Sequence, residues 1–344
     1  MAQRKRAEPR AEIRIDGHSA KLPDPENVGS FLGDRVSGRA FVKLFKQHCK
    51  KCKLKAERKL SEGDIDRLLE DGDAVEERAV RDVAVEFGGR LAEVIKLFLK
   101  SSYWRRTDRI VIGGGMASRH VGDIVIHAAQ SRLMKSHPGL ELERIHHHPN
   151  EAGLVGSVHL IPPSRTHGKD GMLAVDIGGS KVRAGIVEFG ERKSGLLADA
   201  RVWRVEVWRH AKARASQRKL IKMIAELLST LIEEAEKSEF RLTPLVRVGV
   251  PGDIDKDGYI LAGAHNLPGD WEDPSFNLPL ELAAKLPKIG GEPASVSIHN
   301  DAVIQGLAEL PFMRDVKYWG IFTIGSGLGN AHFTNRFSGR RRAT

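Results

Sequence analysis

The chain is short of cysteine, of aromatic residues and of long apolar runs. Its 344 residues hold two cysteines, in Cys49-Lys50-Lys51-Cys52. A Cys-x-x-Cys pair can be redox-active or half of a zinc site. No second pair completes four thiolates, and this one lies in a basic, helix-like stretch. Two reduced thiols on a helix is the simpler reading, and no structural zinc is expected. No apolar run is long enough to span a bilayer. The first residues, MAQRKRAEPR, are polar throughout and unlike a signal peptide. These absences point to a cytoplasmic protein without a membrane partner. Cys₂His₂ spacing, an RNA-recognition aromatic motif and a convincing helix-turn-helix are also missing. Nucleic acid is therefore disfavoured as a partner.

The sequence does have the composition of an ordinary globular protein, 41% hydrophobic and 29% charged. Its length suffices for one large or two medium domains. Its net charge is +10. Basic clusters stand at Arg4–Arg6, Lys43–Lys59 and Arg340–Arg342. They suit anionic or phosphorylated partners, although solvated tails also carry such charge. The run His146–His148 reads as a loop, since it has no partner His or Cys at helical spacing.

The segment Leu173–Val187 reads as a β-hairpin around Gly178-Gly179-Ser180-Lys181. Asp176 ends its first strand beside a turn whose amides are not screened by side chains. Amides beside a carboxylate can hold a phosphate and its Mg²⁺; a hairpin without a ligand is the plainer alternative. Further strands are expected at Arg109–Ile112, Ala200–Val207, Val246–Val250, Ser295–His299 and Gly320–Ile324. Helices are expected at about Val36–Cys52, Val75–Lys100, Val121–Met134 and Ser216–Glu236, with Asn150-Glu151 capping a short one. Residues 161–171 read as a linker, rich in Pro, Gly and polar residues.

Strand ends at 176–181, 251–253, 300–302 and 325–329 carry glycine or acidic turns. In α/β sheets ligands collect at such ends. Two glycine turns suit a polyphosphate clasped between two hairpins, and an Asp at a strand-to-helix junction suits a general base. Asp301 could equally cap its helix, and Asn300 could simply form a turn.

These motifs resemble the ROK family of sugar kinases and regulators, within the actin-like ATPase superfamily. Asp176-Ile177-Gly178-Gly179-Ser180-Lys181 is similar to the first phosphate motif. Gly249-Val250-Pro251-Gly252 and His265–Trp271 resemble the next signatures. Asn300-Asp301-Ala302 is similar to the sugar-binding Asn and catalytic Asp, and Gly325-Ser326-Gly327-Leu328-Gly329 to the second phosphate motif. The family's later motifs stand earlier in this chain. Val36-Ser37-Gly38 resembles a Ser-Gly helix start, Ile110–Gly115 the adenosine motif, and Asn150–Gly156 the C-terminal helix.

The resemblance implies a two-domain α/β fold of the actin-like, ribonuclease-H-like kind, circularly permuted. Residues 1–148 with 305–344 would form the large domain and 149–304 the small one. The implied activity is phosphoryl transfer from ATP or polyphosphate to a hexose, glucose above all. Glu12–His18 is similar to a segment of polyphosphate glucokinases. Asp301 would be the base; Asn300, Asn266, Glu12 and His18 would hold the sugar. Asp176 would hold Mg²⁺. Gly178, Gly179, Ser180, Lys181, Gly325, Ser326, Gly327 and Gly329 would bind phosphates, and Gly113, Gly114 and Gly115 the nucleotide. A homodimer is left open. Two departures from the family stand out. Its Glu-x-Gly-His is not matched as such: one alignment puts Glu12 where the His belongs, the other makes His18 the ligand and loses the Glu. The acidic sugar ligand falls on Gly33 beside Asp34. A sugar-binding sensor without catalysis is the alternative.

Overall fold

The computed structural model describes residues 13–54, 60–190, 197 and 199–336. In chain order the elements are β1 (Ile13–His18), α1 (Gly38–Lys51), α2 (Glu62–Arg67), α3 (Ala74–Phe98), β2 (Arg109–Gly113), α4 (Gly114–Ala117), α5 (His120–Leu133) and β3 (Glu141–Arg144). Then come α6 (Ala152–Val155), β4 (Gly171–Ile177), β5 (Val182–Glu188), β6 (Arg201–Trp208), α7 (Gln217–Lys237), β7 (Leu242–Val250), β8 (Asp253–Ile254) and β9 (Ile260–Ala262). The last are α8 (Leu278–Ala283), β10 (Ser295–Asn300), α9 (Asp301–Ala308), β11 (Tyr318–Ile324) and β12 (Leu328–Asn335). The class is mixed α/β. No helix among the described residues is long and apolar enough to cross a membrane.

The chain divides into two compact units. Among the described residues, unit 1 holds those of 13–19, 150–314 and 336, and unit 2 those of 20–149 and 315–335. The division after 149 lies one residue from the expected boundary. The expected break at 304/305 would cut α9, which runs through it to Ala308 with its residues 302–308 buried. The chain passes to unit 2 only after that helix and its following turn. Residues 13–19 group with unit 1, whereas the sequence placed them in the other domain.

Unit 1 is built on five strands in the order β10-β7-β4-β5-β6. β4, β5 and β6 form an antiparallel meander, and β7 and β10 are parallel to β4. β4 and β7 are buried along their whole length, as strands covered on both faces must be. One face packs on α7. That helix starts at Ser216, whose hydroxyl accepts from the Lys219 amide at 3.3 Å, a standard N-cap. Leu220, Ile224, Leu228, Leu231 and Ala235 form its buried stripe against Leu173, Val175, Val246 and Val248.

The opposite face receives α6 and the 3₁₀ turn Gly156–Leu160. Small residues make this approach close. A Cβ on Gly185 would lie 2.9 Å from Leu154 Cδ1, and one on Gly153 2.7 Å from the Asp176 carboxyl carbon. The expected cap of α6 takes another form. Glu151 is its N-cap but makes no side-chain cap bond. The Asn150 side chain instead accepts from Lys181 Nζ at 3.2 Å and Arg183 Nε at 2.9 Å. The expected linker carries one 3₁₀ turn, Pro163–Arg165.

Unit 2 contains four strands in the order β12-β11-β2-β3. β11 and β12 form an antiparallel hairpin, and β2 and β3 are parallel to β11. Aromatic packing fills this core. Trp104 stacks on Phe322 with ring centroids 4.8 Å apart, and Phe98 meets Phe322 edge-on at 4.9 Å. Cys49 is buried on α1 and Cys52 is exposed just after it, and 146–148 is a loop.

Candidate active site

The centre of unit 1 is the C-terminal end of β4, β7 and β10. Asp176 sits one residue from the end of β4, opposite Arg183 on β5 and beside Gly249 on β7. Its carboxylate is buried, and Arg183 Nη1 donates to Oδ2 at 2.6 Å. Gly249 leaves room for this group; a Cβ there would lie 3.7 Å from Asp176 Oδ1 and 3.2 Å from Ile304 Cδ1. Arg183 was absent from the sequence expectations. Its signal was the alternation of β5, which turns Arg183 to the same face as the cross-strand Asp176.

The turn after β4 comprises Gly178, Gly179, Ser180 and Lys181. The Gly178 amide donates to the Lys181 carbonyl at 3.0 Å, closing it. His210 reaches its rim, with Nε2 2.8 Å from the Gly178 carbonyl. A Cβ on Gly178 would meet only the Lys181 carbonyl oxygen, at 3.5 Å. Backbone amides in a turn this thinly covered can meet an anion.

β10 ends at Asn300, and α9 starts at Asp301. Asn300 is the cap: its Oδ1 accepts from the Val303 amide at 3.1 Å. Its Nδ2 donates to the Gly252 carbonyl and to Ser19 Oγ, each at 2.9 Å. Asp301 is thereby released from capping and accepts one bond, from the Ala302 amide at 2.9 Å. Burial chiefly, and then the negative charge of Asp176, push the Asp301 pKa up to about 7. The two carboxylates thus stand close enough for their charges to interact, at the ends of strands separated by β7.

Gly252 adopts φ +121°, and a Cβ on it would stand 2.6 Å from the Ala262 carbonyl. That close approach holds the loop after β7 against β9, whose continuation carries Asn266. Asn266 is half-buried, with Nδ2 3.4 Å from His265 Nε2. His18 ends β1, with its ring centroid 6.1 Å from that of His299. Ser19, at φ +53°, joins His18 and Asn300: its hydroxyl lies 3.3 Å from His18 Nδ1 and donates to the Gly252 carbonyl at 3.2 Å. Ser19 is thus a site residue that no sequence motif marked. Glu12 lies outside the described residues.

In unit 2 the glycines at two strand ends meet. Gly114 opens α4 at φ +83°, and a Cβ there would stand 2.5 Å from the Ile324 carbonyl. The Gly325 amide donates to the Gly327 carbonyl at 2.9 Å, closing the hairpin turn that includes Ser326. The Gly325 carbonyl accepts from the Gly38 amide at 2.8 Å, so the Ser37-Gly38 start of α1 joins the same locality. Gly113 ends β2 and pairs with Thr323, which also pairs with Gly329 on β12. Gly115 and Gly325 have no atom within 4 Å of a notional Cβ and are open to a ligand.

No family model matches the sequence, and no curated protein matches it. Solved structures do. A candidate sugar kinase from Cytophaga hutchinsonii shares 18% identity at a TM-score of 0.36, over 50% of each chain. A candidate N-acetylmannosamine kinase from Listeria monocytogenes shares 27% at a TM-score of 0.33, over 48% of this chain and 47% of its own. A ROK hexokinase from Thermus thermophilus shares 24% at a TM-score of 0.26, over 38% of this chain and 35% of its own. The chain spans half or less of the structures it resembles.

Proposed function

We propose that the chain is a ROK-type sugar kinase with a circularly permuted actin-like fold, moving a phosphoryl group from ATP or polyphosphate to a hexose such as glucose. The observation that carries this reading is Asp301, a carboxyl group with a pKa near 7 beside Asp176 and one strand from the Gly178–Lys181 turn. A base with a pKa near the working pH is well matched to taking a proton from a hydroxyl. Asp301 would accept the proton of the sugar hydroxyl that attacks the terminal phosphate.

Asn266, His18 and Asn300 would hold sugar hydroxyls. Asn300 could accept a hydroxyl on the second lone pair of Oδ1, and could donate to one only by yielding its bond to Ser19 or Gly252. The turn amides and Lys181 would receive phosphate oxygens, Lys181 exchanging Asn150 for them. Gly113–Gly115 and Gly325–Gly329 would let nucleotide or phosphate approach the backbone of unit 2.

The donor set suits Mg²⁺. Asp176 and Asp301 supply hard carboxylate oxygens. No group of three or more His, Cys, Asp or Glu among the described residues could cage a metal. Mg²⁺ characteristically takes one or two carboxylates and completes its shell with water and substrate phosphate. When bound, the ion would neutralise charge on the transferring phosphate. Arg183, bonded to Asp176 Oδ2, would hold that carboxylate in orientation for it.

The permutation is supported by the two sheets. Each has an antiparallel hairpin followed by two parallel strands, β5-β4-β7-β10 in unit 1 and β12-β11-β2-β3 in unit 2. In unit 1 the hairpin comes first in the chain; in unit 2 it comes last.

A coupled assay with glucose and a hexose panel, using ATP or polyphosphate, tests the activity. Turnover with either donor supports it, and its loss in Asp301→Asn ties it to the base. A catalytically impaired sugar sensor is the second reading. It is favoured by Asn300, whose amide already makes three bonds within the fold. That reading expects sugar binding without turnover on any hexose.

A further inference from the structure

The sheet face of unit 1 that carries Asp176 also buries Arg247. It lies mid-way along β7, in register with Ala174 of β4 and Ser297 of β10. Only 6% of it is exposed, and its Nε is enclosed without a hydrogen-bond partner. No ion pair joins it to a carboxylate among the described residues. Asp176, two residues further along on the same face, is engaged by Arg183. The charged neighbour that acts on Arg247 is another cation, Arg165, in the 3₁₀ turn before β4. Burial first and this like charge second lower the Arg247 pKa to about 10.

The polar groups around it are also unmatched. Ser297 Oγ on the neighbouring strand is enclosed and has no partner. So are Thr243 Oγ1, earlier on β7, and Ser157 Oγ, in the 3₁₀ turn packed over that strand. A buried charge normally has a counter-charge, and buried hydroxyls normally have partners. A guanidinium can only donate, and its planar fork matches an oxyanion. Hydroxyls can donate beside it. What is missing is an acceptor with several oxygens and negative charge.

We infer that Arg247, with Ser297 and Arg165, forms a binding site for a tetrahedral oxyanion, either inorganic phosphate or the phosphate of an ester. The site stands apart from the Gly178–Lys181 turn. It uses residues to which the proposed phosphoryl transfer gives no role, and it ties the 161–171 segment to the sheet through the ligand.

The test is isothermal titration of the full chain with inorganic phosphate and, separately, glucose 6-phosphate, at ionic strength matched with chloride. Saturable binding is expected, at least tenfold weaker in Arg247→Met and several-fold weaker in Ser297→Ala and Arg165→Gln. Gly179→Val, which crowds the other turn, should leave this component in place. Arg247→Met should fold, since it removes an unpaired buried charge; Arg247→Lys, which keeps the charge but loses the fork, is the check if it does not. Tighter binding of the ester identifies an ester as the ligand, and equal binding the free ion. No binding beyond chloride, or phosphate binding unchanged in both Arg247→Met and Arg247→Lys, overturns the proposal.

Discussion

In unit 1, β4 turns back into β5 with Ile177 facing Val182 as the last pair. In unit 2, β11 turns back into β12 with Ile324 facing Leu328. One step inside each turn the two hairpins part company. Unit 1 has Asp176 opposite Arg183, and unit 2 has Thr323 opposite Gly329. On the parallel side both have a glycine, Gly249 and Gly113. The pairing pattern is shared and the chemistry is not. One turn is built around a buried ion pair beside a second carboxylate. The other is an uncharged glycine junction. The backbone pairing therefore does not depend on the charges, which only one of the two turns carries.

The largest expected effect falls on the charged turn. If Asp301 is the base, Asp301→Asn lowers turnover by about 10²–10⁴-fold, the usual contribution of general-base catalysis. Thr323→Val, in the uncharged turn, should change turnover far less. Measuring kcat for both variants on the same sugar separates the two hairpins; equal losses would erase the distinction.

Next comes the ion pair itself. Asp176→Asn leaves Arg183 buried at 8% exposure without its counter-charge, a loss of about 3–5 kcal/mol when one partner of a buried pair is removed. Adding Arg183→Met should recover part of that loss. Urea unfolding of the two single variants and the double variant measures the coupling. Additive losses would show that the pair does not organise the turn.

The glycine junction of unit 2 should respond to shape instead. Gly114→Ala puts a Cβ against the Ile324 carbonyl at a left-handed φ, costing about 1–3 kcal/mol. Gly115→Ala, with open space around it, should stay within about 0.5 kcal/mol of wild type. Thermal denaturation distinguishes them.

The smallest effect is in pH dependence. The Asp301 pKa is raised from 3.8 to about 7, so between those values the folded chain holds a proton that the unfolded chain has released. Stability contributed by this group therefore falls as pH rises through that window. Asp301→Asn cannot ionise and should lack the slope. It should exceed wild type at pH 8 by about 1–2 kcal/mol, since Asp301 keeps some solvent exposure that damps the shift. Melting curves at pH 5 and pH 8 read this directly.

The elements themselves were largely readable in the chain. Ser216 and the Leu220–Leu231 spacing mark α7 without reference to anything else, because capping and a 3.6-residue stripe are local properties. The β4–β5 hairpin follows equally from alternation around Gly178-Gly179. The weaker elements escaped. β3, Glu141–Arg144, is four residues long and lies exposed or half-buried, so it lacks the apolar run that marks an interior strand. α8, with two buried residues, has too short a stripe to stand out.

Residue type and order alone determined where the turns lie, which glycines open them and that Asp301 starts a helix. These depend on backbone freedom and on neighbours a few positions away. Tertiary structure decided what each side chain is occupied with. Arg183 reaches Asp176 across the hairpin, Asn150 takes Lys181 and Arg183 instead of capping α6, and Asn300 caps α9 while holding Ser19 from 281 residues away. The Asp301 pKa belongs to the same class. It comes from burial and from a carboxylate 125 residues earlier in the chain, and neither is a property of local sequence. Desolvation and through-space charge act between groups that only folding brings together.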